Sequence, residues 1–188
     1  TADRHIATIL QDESRITDYL TVHLETGEGF TDVRDTDLQL IVTDDPARFT
    51  AFHTFRDRIS GESLPFTGEG AILTEKAAHV LGLAAGDILP LRNQDEEESS
   101  VPIAAVCENY VQGYVFLSAD LYEQAFGKEC ELDTVFAKTT TSDRQSRDAL
   151  ASDLLESDNA TGVSFSASTI ETFDDMLSSI DYIVILLI

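Results

Sequence analysis

Residues 70–91, GAILTEKAAHVLGLAAGDILPL, carry the pattern on which the fold prediction depends. The apolar run Ala71–Thr74 predicts a short buried strand. The helix predicted next, over Glu75–Leu81, ends at Gly82, and an apolar residue follows, as is typical of a left-handed C-terminal cap. The stretch therefore predicts a strand that passes directly into a capped helix.

The chain then predicts a second strand and an acidic loop. Gly86 and Asp87 are typical turn residues, and they precede a strand predicted over Ile88–Arg92. Residues 94–100, QDEEESS, contain four successive carboxylates and no apolar residue, so they predict an exposed hairpin loop.

Upstream, two strands and one long helix are predicted. Alternating residues indicate a strand over Ile16–Glu25, residues 27–37 are a polar turn, and Leu38–Thr43 is a buried strand. Asp45 and Pro46 form a typical helix start. The helix predicted from there to Gly61 presents one apolar face, consisting of Phe49, Phe52, Phe55 and Ile59.

Downstream, Val101–Leu117 predicts two strands, or one strand bent near Asn109 and Gly113. A capped helix over residues 118–127 and a strand over residues 132–138 follow. Ser142 and Gln145 form a capping box for a helix whose buried residues are predicted to be Leu150, Leu154 and Leu155. A last strand is predicted over residues 162–167, and Ser168 with Glu171 forms a second capping box.

The final helix has an apolar face and then loses its polar face. From Tyr182 onward the sequence YIVILLI is apolar on every side. A helix buried in the domain's own core and the beginning of a transmembrane helix both explain this pattern. The apolar residues that recur at helical spacing are Phe173, Met176, Leu177, Ile180, Ile183, Val184 and Leu187.

Charge and motifs exclude several functions. The chain has 35 acidic and 12 basic residues and a formal net charge of −23, so it repels nucleic acid. Phosphate-binding loops, nucleophile elbows and zinc-helix motifs are absent from the sequence, and His5, His23, His53 and His79 share no spacing. We therefore predict no catalytic residues, no cofactor and no metal site.

Two cysteines, Cys107 and Cys130, lie 23 positions apart without any metal-binding spacing. Cys107 lies in an apolar run and is predicted to be a small buried residue. A disulfide between the two is an open alternative, because spacing cannot prove a pairing.

Two stretches resemble a known family. Residues 70–91 resemble the strand, Ser/Thr-Glu-Lys-x-Ala helix, Leu-Gly-x-x-x-Gly-Asp and strand of the extracytoplasmic domains of FtsX-like ABC transporter permeases, the superfamily that includes MacB. Residues 107–127, CENYVQGYVFLSADLYEQAFG, resemble a pattern of large permeases of that family from Gram-positive bacteria. Residues 173–188 are similar to the segment that leads into the transmembrane helix after such a domain.

The resemblance implies an α+β fold like that of the MacB periplasmic domain. A βαβ-type lobe would consist of residues 1–66 and 132–170, and a smaller β-rich lobe, residues 67–131, would be inserted between them. Residues 171–188 would be the helix that leads into a truncated transmembrane segment, so that residues 1–188 are an extracytoplasmic domain fragment.

The resemblance also implies a function. The domain would lie on the outer face of the cell membrane of a Gram-positive bacterium and would couple ATP-driven motion of the transmembrane helices to export or gating. A cytoplasmic ATP-binding subunit, the membrane and a second permease subunit would be its partners. The alternative is a secreted or surface-attached ligand-binding module whose C-terminal helix is buried. No residue of the sequence identifies a substrate.

Overall fold

The computed structural model describes residues 14–109, 112–140, 143–156 and 162–165. Within these residues the elements are β1 (Ile16–Phe30), β2 (Asp35–Thr43), α1 (Pro46–Phe49), β3 (Ala71–Thr74), α2 (Glu75–Leu81), β4 (Ile88–Arg92), β5 (Glu98–Cys107), β6 (Tyr114–Ser118), α3 (Ala119–Phe126), β7 (Thr134–Thr139) and α4 (Arg144–Glu156). Parallel and antiparallel strands share one sheet with helices packed on it, so the predicted α+β class is confirmed.

The chain divides into two compact units, residues 18–138 and residues 1–17 with 139–188. Strands β1 and β2 share their sheet with β3, β4, β5 and β6. The lobes predicted from the sequence, residues 1–66 with 132–170 and residues 67–131, have other boundaries, and that division stays a prediction.

Six strands of the first unit pair in a closed ring, in the order β1, β2, β6, β3, β5, β4 and back to β1. The pairs β2–β6 and β3–β5 are parallel, and the other pairs of the ring are antiparallel. Strand β7 is a further hydrogen-bonded neighbour of β1. Because each strand of the ring has a neighbour on both sides, the ring leaves little unpaired strand edge.

Alternating residues of the ring strands contribute to two separate hydrophobic clusters. In β2, for example, Leu38, Leu40 and Val42 belong to one cluster and Ile41 to the other. We call the first the inner cluster, and helices α2 and α3 pack on it through Leu81 and Tyr122. We call the second the outer cluster. Its buried residues are Leu20, Val22, Ile41, Phe49, Phe55, Phe66, Ile72, Cys107 and Phe116.

Strand β1 is longer than the sequence predicts, since it continues to Phe30 through the segment that was predicted to be a turn. The reason is the position of the glycines. Gly27 and Gly29 lie on the face of β1 that packs on the inner cluster, where an added Cβ would meet Leu40 Cδ1 at 2.7 Å and Leu38 Cδ1 at 2.9 Å. These glycines therefore permit close packing within a strand and do not mark a turn.

The helix predicted from Pro46 to Gly61 is also wrong, because helix α1 ends at Phe49. Its start is as predicted: Asp45 Oδ1 accepts a hydrogen bond of 2.9 Å from the backbone N–H of Arg48. Beyond it, Asp57 Oδ1 accepts from the N–H groups of Ile59 and Ser60, which favours a turn over a helix.

The aromatic residues of this segment pack without forming a helix. The rings of Phe49 and Phe55 are stacked with centroids 5.9 Å apart, and both residues are buried in the outer cluster. The His53 ring stacks on Phe116 at 5.1 Å, and its burial lowers its pKa. Ile59, in contrast, is 87% exposed, so the predicted apolar face is only partly buried.

The segment that decided the fold prediction has the predicted conformation. Helix α2 ends at Gly82, which adopts φ 74°, and Gly86 adopts φ 93° in the next turn. Asp87 Oδ2 accepts a hydrogen bond of 2.9 Å from Ala84 N–H and thereby closes that turn. The acidic run lies at the β4–β5 hairpin, and α3 begins at Ser118, whose Oγ accepts from Leu121 N–H.

The second unit differs more from its prediction. In α4, Leu150 is buried, Leu154 is half-buried and Leu155 is 43% exposed, so the predicted burial of all three leucines is wrong. Residues 162–165 are not a strand, since in the described chain no neighbouring strand pairs with them. Ser142, Ser168, Glu171, residues 166 and 167, and the final helix lie outside the described residues.

Replacing Gly27 with alanine is expected to lower the free energy of unfolding by about 1–3 kcal/mol, because the new methyl group overpacks the ring. It would stand 2.5 Å from the backbone oxygen of Arg92. Urea unfolding measures the change. In the control Gly162→Ala, where no atom lies within 4 Å of the added Cβ, the change should stay within about 0.5 kcal/mol. Equal stability of both variants would contradict the role of Gly27 in closing the ring.

Candidate functional site

The inner face of β1 carries two titratable side chains in addition to its glycines. His23 and Glu25 lie directly opposite Val42 and Leu40 of β2, both of which belong to the inner cluster. His23 is 8% exposed and Glu25 is 4% exposed. Buried ionisable groups of this kind need partners, and their partners define the candidate site.

His23 lies between two carboxylates. Its Nε2 atom is 3.5 Å from Glu25 Oε2, and its Nδ1 atom is 3.5 Å from Asp133 Oδ1. The two partners differ in environment, because the Glu25 side chain is 1% exposed and the Asp133 side chain is 58% exposed. Hydrogen bonding to Glu25 is the main reason that the pKa of His23 is raised, and burial opposes it only in part.

Helix α3 contributes Tyr122 to the same place. Its ring meets the His23 ring edge-on with centroids 6.1 Å apart. Its hydroxyl group hydrogen-bonds with Glu25 and Asn93, and burial raises the pKa of Tyr122 to about 12. The phenol is therefore neutral near neutral pH and can donate a hydrogen bond to the Glu25 carboxylate.

Asn93 joins this site to the β4–β5 hairpin loop. Its Oδ1 accepts from the N–H groups of Asp95 and Glu97, both at 3.0 Å, and its Nδ2 donates to Glu97 Oε2 at 2.9 Å. Lys128 binds Asp95 at 2.5 Å and Glu97 at 2.7 Å, so the acidic loop is partly neutralised. We call the buried residues His23, Glu25, Asn93 and Tyr122, together with the exposed Asp133 at their edge, the buried polar cluster.

The buried polar cluster is suited to holding a proton. Within the described ranges no three His, Cys, Asp or Glu side chains are arranged to bind a metal ion. The thiol of the nearby Cys130 has its pKa raised by burial, which disfavours the reactive thiolate. His23, with Glu25 on one side and Asp133 on the other, can change its charge.

A depression of about 290 Å³ lies elsewhere on the first unit and is lined by Thr54, Arg56 and Glu108. Arg56 Nη2 is 2.6 Å from Glu108 Oε2, and Arg56 Nε donates to the same oxygen at 2.8 Å. The two charges of the depression therefore neutralise each other, and we assign it no ligand.

The predicted membrane-coupling helix does not fall within the described residues. The residues predicted to couple the domain to the membrane lie outside the described residues, namely Phe173, Met176, Leu177, Ile180, Ile183, Val184 and Leu187. None of the helices in the described part of the chain combines the length and the apolar character required to cross a bilayer.

The two cysteines are located, and both are free. Cys107 is buried in the outer cluster, and Cys130 packs against the inner cluster. The structure therefore does not contain the disulfide that the sequence left open, because the two thiols pack against different clusters. Burial raises the pKa of Cys107 to about 11.

Sequence reasoning missed the buried polar cluster. His23 and Glu25 stand two positions apart in a predicted strand, so they share a face with each other and with Gly27. That spacing was a usable signal. Nothing in the sequence indicated that Tyr122, Asn93 and Asp133 would lie near this face, because they come from elements about 70 to 110 residues away.

Comparisons with known proteins identify structural neighbours only. No family model matches the chain, and no curated protein does. The extracellular domain of the noncanonic ABC-type transporter YknZ from Gram-positive bacteria is 14% identical, with a TM-score of 0.49 over 74% of this chain and 73% of its own. The periplasmic region of MacB from Actinobacillus actinomycetemcomitans is 12% identical, with a TM-score of 0.49 over 92% of this chain and 82% of its own. The chain is similar to these extracytoplasmic domains of ABC-type transporters.

The free cysteines lead to a thiol count that can be measured. A chromogenic thiol reagent, used without reductant, should detect both thiols in denaturant, and Cys107 should react much more slowly in the native protein because it is buried. Cys107→Ser and Cys130→Ser assign the two reactions. If fewer than two thiols react in denaturant, the cysteines are oxidised and this account of them is wrong.

Replacing Glu25 with glutamine should lower the pKa of His23, because the main group that favours the imidazolium is lost. Titration of the His23 imidazole resonances by NMR measures this pKa. Because the folded-state pKa of His23 is raised above 6.5, the stability it contributes is complete below that pH and is lost as the pH rises through the folded-state value. Glu25→Gln should therefore flatten the pH dependence of stability above pH 6.5. An unchanged His23 titration would contradict the pairing.

Proposed function

We propose that this chain is an extracytoplasmic domain of an FtsX-like ABC transporter permease. In this proposal the domain transmits ATP-driven motion of the transmembrane helices to export or gating outside the membrane. The observation that carries the proposal is the sequence from Phe173 to Ile188, in which apolar residues recur at helical spacing and every residue from Tyr182 onward is apolar or aromatic. Such a pattern suits a helix that passes from a protein surface into lipid.

The two sequence motifs support the proposal through their place in the fold. Residues 70–91 contain β3, α2 and all of β4 but its last residue, and residues 107–127 contain β6 and α3. The resemblance to the permease family therefore rests on three strands of the ring and on both helices that pack on the inner cluster. The residues of both motifs have structural roles, as expected if the domain moves as one rigid body.

The closed ring is a suitable body for mechanical work. Arg92 makes an ion pair with Glu28 where β4 meets β1, pairs with Glu98 at 2.5 Å, and lies over the Phe30 ring at 5.2 Å. These contacts of Arg92 join β4 to β1, the two strands whose pairing closes the ring. A rigid domain passes a displacement from one end to the other with little loss, because packed interiors are not compliant.

The remaining parts of the proposal follow from the family. A cytoplasmic ATP-binding subunit would bind the transmembrane part, a second permease subunit would complete the transporter, and the domain would face the outside of the cell membrane. The apolar residues from Phe173 to Leu187 would form the coupling helix. The division into an α/β lobe and an inserted β-rich lobe belongs to this proposal as well.

Labelling of intact cells tests the location. In the natural reading frame that carries this chain, Val33→Cys places a thiol at a hairpin position that is 85% exposed. A membrane-impermeant maleimide should label it before lysis, and the labelled protein should be in the membrane fraction. The unsubstituted protein is the control, since in this chain Cys107 is buried and Cys130 is partly buried. Labelling only after lysis would contradict the proposed location, and a labelled protein outside the membrane fraction would favour the ligand-binding alternative.

Interruption of the final helix tests the coupling. With a fluorophore on Val33→Cys in the reconstituted transporter, ATP with vanadate should change the quenching by headgroup-labelled lipid. Four Gly and Ser residues inserted after Ile180 should abolish that change while ATP hydrolysis continues, because a flexible insert does not transmit displacement. Four inserted alanines preserve the helix and should retain the response. A response that survives the flexible insert would contradict the coupling.

A further inference from the structure

The segment between α3 and β7, residues 127–133, is held to the ring at both ends, and we call it the connector. Near its start Lys128 binds Asp95 and Glu97 of the β4–β5 loop. At its end Asp133 stands 3.5 Å from His23 of β1. Between these points Cys130 packs against the inner cluster. The connector is therefore held at Lys128 by ion pairs. At Asp133 it is held by a contact that depends on the protonation of His23.

His23 has an acceptor on each side. Its Nε2 faces Glu25, and its Nδ1 faces Asp133, with the backbone of Glu131 also favouring the protonated ring. A neutral imidazole has one N–H group, whereas an imidazolium has two. The Nδ1 atom of His23 is buried and makes no hydrogen bond in the structure. The Oε1 atom of Glu25 is likewise buried without a hydrogen bond. Because an unpaired buried polar atom is unfavourable, this arrangement favours a second proton on the ring.

When only one proton is available, the two acceptors compete for it unequally. The Glu25 carboxylate is 1% exposed and cannot be solvated in place of its partner. The Asp133 carboxylate is 58% exposed and can turn to water at little cost. A neutral His23 should therefore keep its N–H toward Glu25 and give up the bond toward the connector.

We propose that His23 is a proton-dependent latch that binds the connector to strand β1. The protonated ring donates to Glu25 and to the connector at the same time. The neutral ring donates to Glu25 alone and releases the end of the connector near Asp133. Protonation thus joins two segments that lie 110 positions apart in the sequence.

Several titratable groups face this latch, and among them His23 is the one suited to titrate near neutral pH. Tyr122 of α3 has its pKa raised to about 12 by burial, and Cys130 of the connector has its pKa raised in the same way. The charged groups around them are carboxylates and one amine, and histidine is the side chain whose ordinary charge change falls near neutral pH. These charged groups are Glu25 of β1, Asp44 after β2, Asp95 and Glu97 of the hairpin loop, and Lys128, Glu131 and Asp133 of the connector.

The connector leads into β7 and from there toward the C-terminal part of the chain. Only if the proposed function holds does the latch acquire a transporter role, in which acidity outside the cell would stiffen the path between the ring and the coupling helix. The latch itself depends on residues of the first unit and can be tested without the membrane.

Hydrogen exchange by mass spectrometry on the 188-residue chain tests the latch. After correction for intrinsic exchange rates, amides of the connector should lose protection as the pH rises from about 6 to 8.5, through the titration range of histidine. The protection factor of these amides should change by up to about tenfold for each pKa unit by which His23 differs between the bound and the released connector. Amides of β2, in the ring, serve as the internal reference and should keep their protection.

Three variants separate the latch from a general effect of pH. His23→Gln cannot gain a charge, so the pH dependence of connector protection should disappear. Asp133→Ala removes an exposed acceptor without disturbing the core, so connector protection at low pH should fall and the NMR titration midpoint of His23 should decrease. Glu129→Ala removes another exposed carboxylate of the connector and should leave both readouts unchanged.

Two outcomes would overturn the proposal. One is a pH dependence of connector exchange that persists in His23→Gln, and the other is an equal effect of Glu129→Ala and Asp133→Ala on the titration of His23. Neither outcome bears on the transporter assignment, which fails or stands on cell labelling and on the helix insertions.

Discussion

The close approach of β1 to the strands around it is the constraint on which the rest of the structure depends. At Glu28 and Gly29 this strand pairs with β2 on one side and with β4 on the other, and that double pairing closes the ring. Side chains would prevent it, since a Cβ on Gly27 would stand 2.5 Å from the backbone oxygen of Arg92. Closure in turn creates an enclosed apolar interior, which helices α2 and α3 cover.

The same strand face explains why a polar cluster exists in this interior. Side chains alternate along a strand, so a strand that presents Gly27 to the inner cluster also presents Glu25 and His23, two and four positions before it. His23 and Glu25 are therefore buried as a consequence of closure. Such groups are tolerated because they pair with each other and with Tyr122. A buried histidine paired in this way takes up a proton readily, and this links the packing of the ring to the state of a surface segment.

Local signals were interpreted well where the hydrogen bonds are local. Asp45 caps α1, Gly82 ends α2 and Ser118 caps α3, and in each case the decisive contact spans three or four residues. The two main errors had a common cause. The sequence predicts a turn at Gly27 and a helix face at Phe55, whereas Gly27 packs against Leu40 and Phe55 against Phe116. Both partners lie in other strands, so a local pattern does not show them.

The sequence by itself determined the positions of most strands and helices, and its resemblance to a known family implied the class of the fold. The positions depend on residues within a few positions of one another. Only the tertiary structure decided that six strands close into a ring, that the cysteines lie in different clusters, and that His23 meets Asp133. Such contacts join residues up to 110 positions apart. Their free energy comes from burial and pairing that exist only after the chain has folded, so no local pattern encodes them.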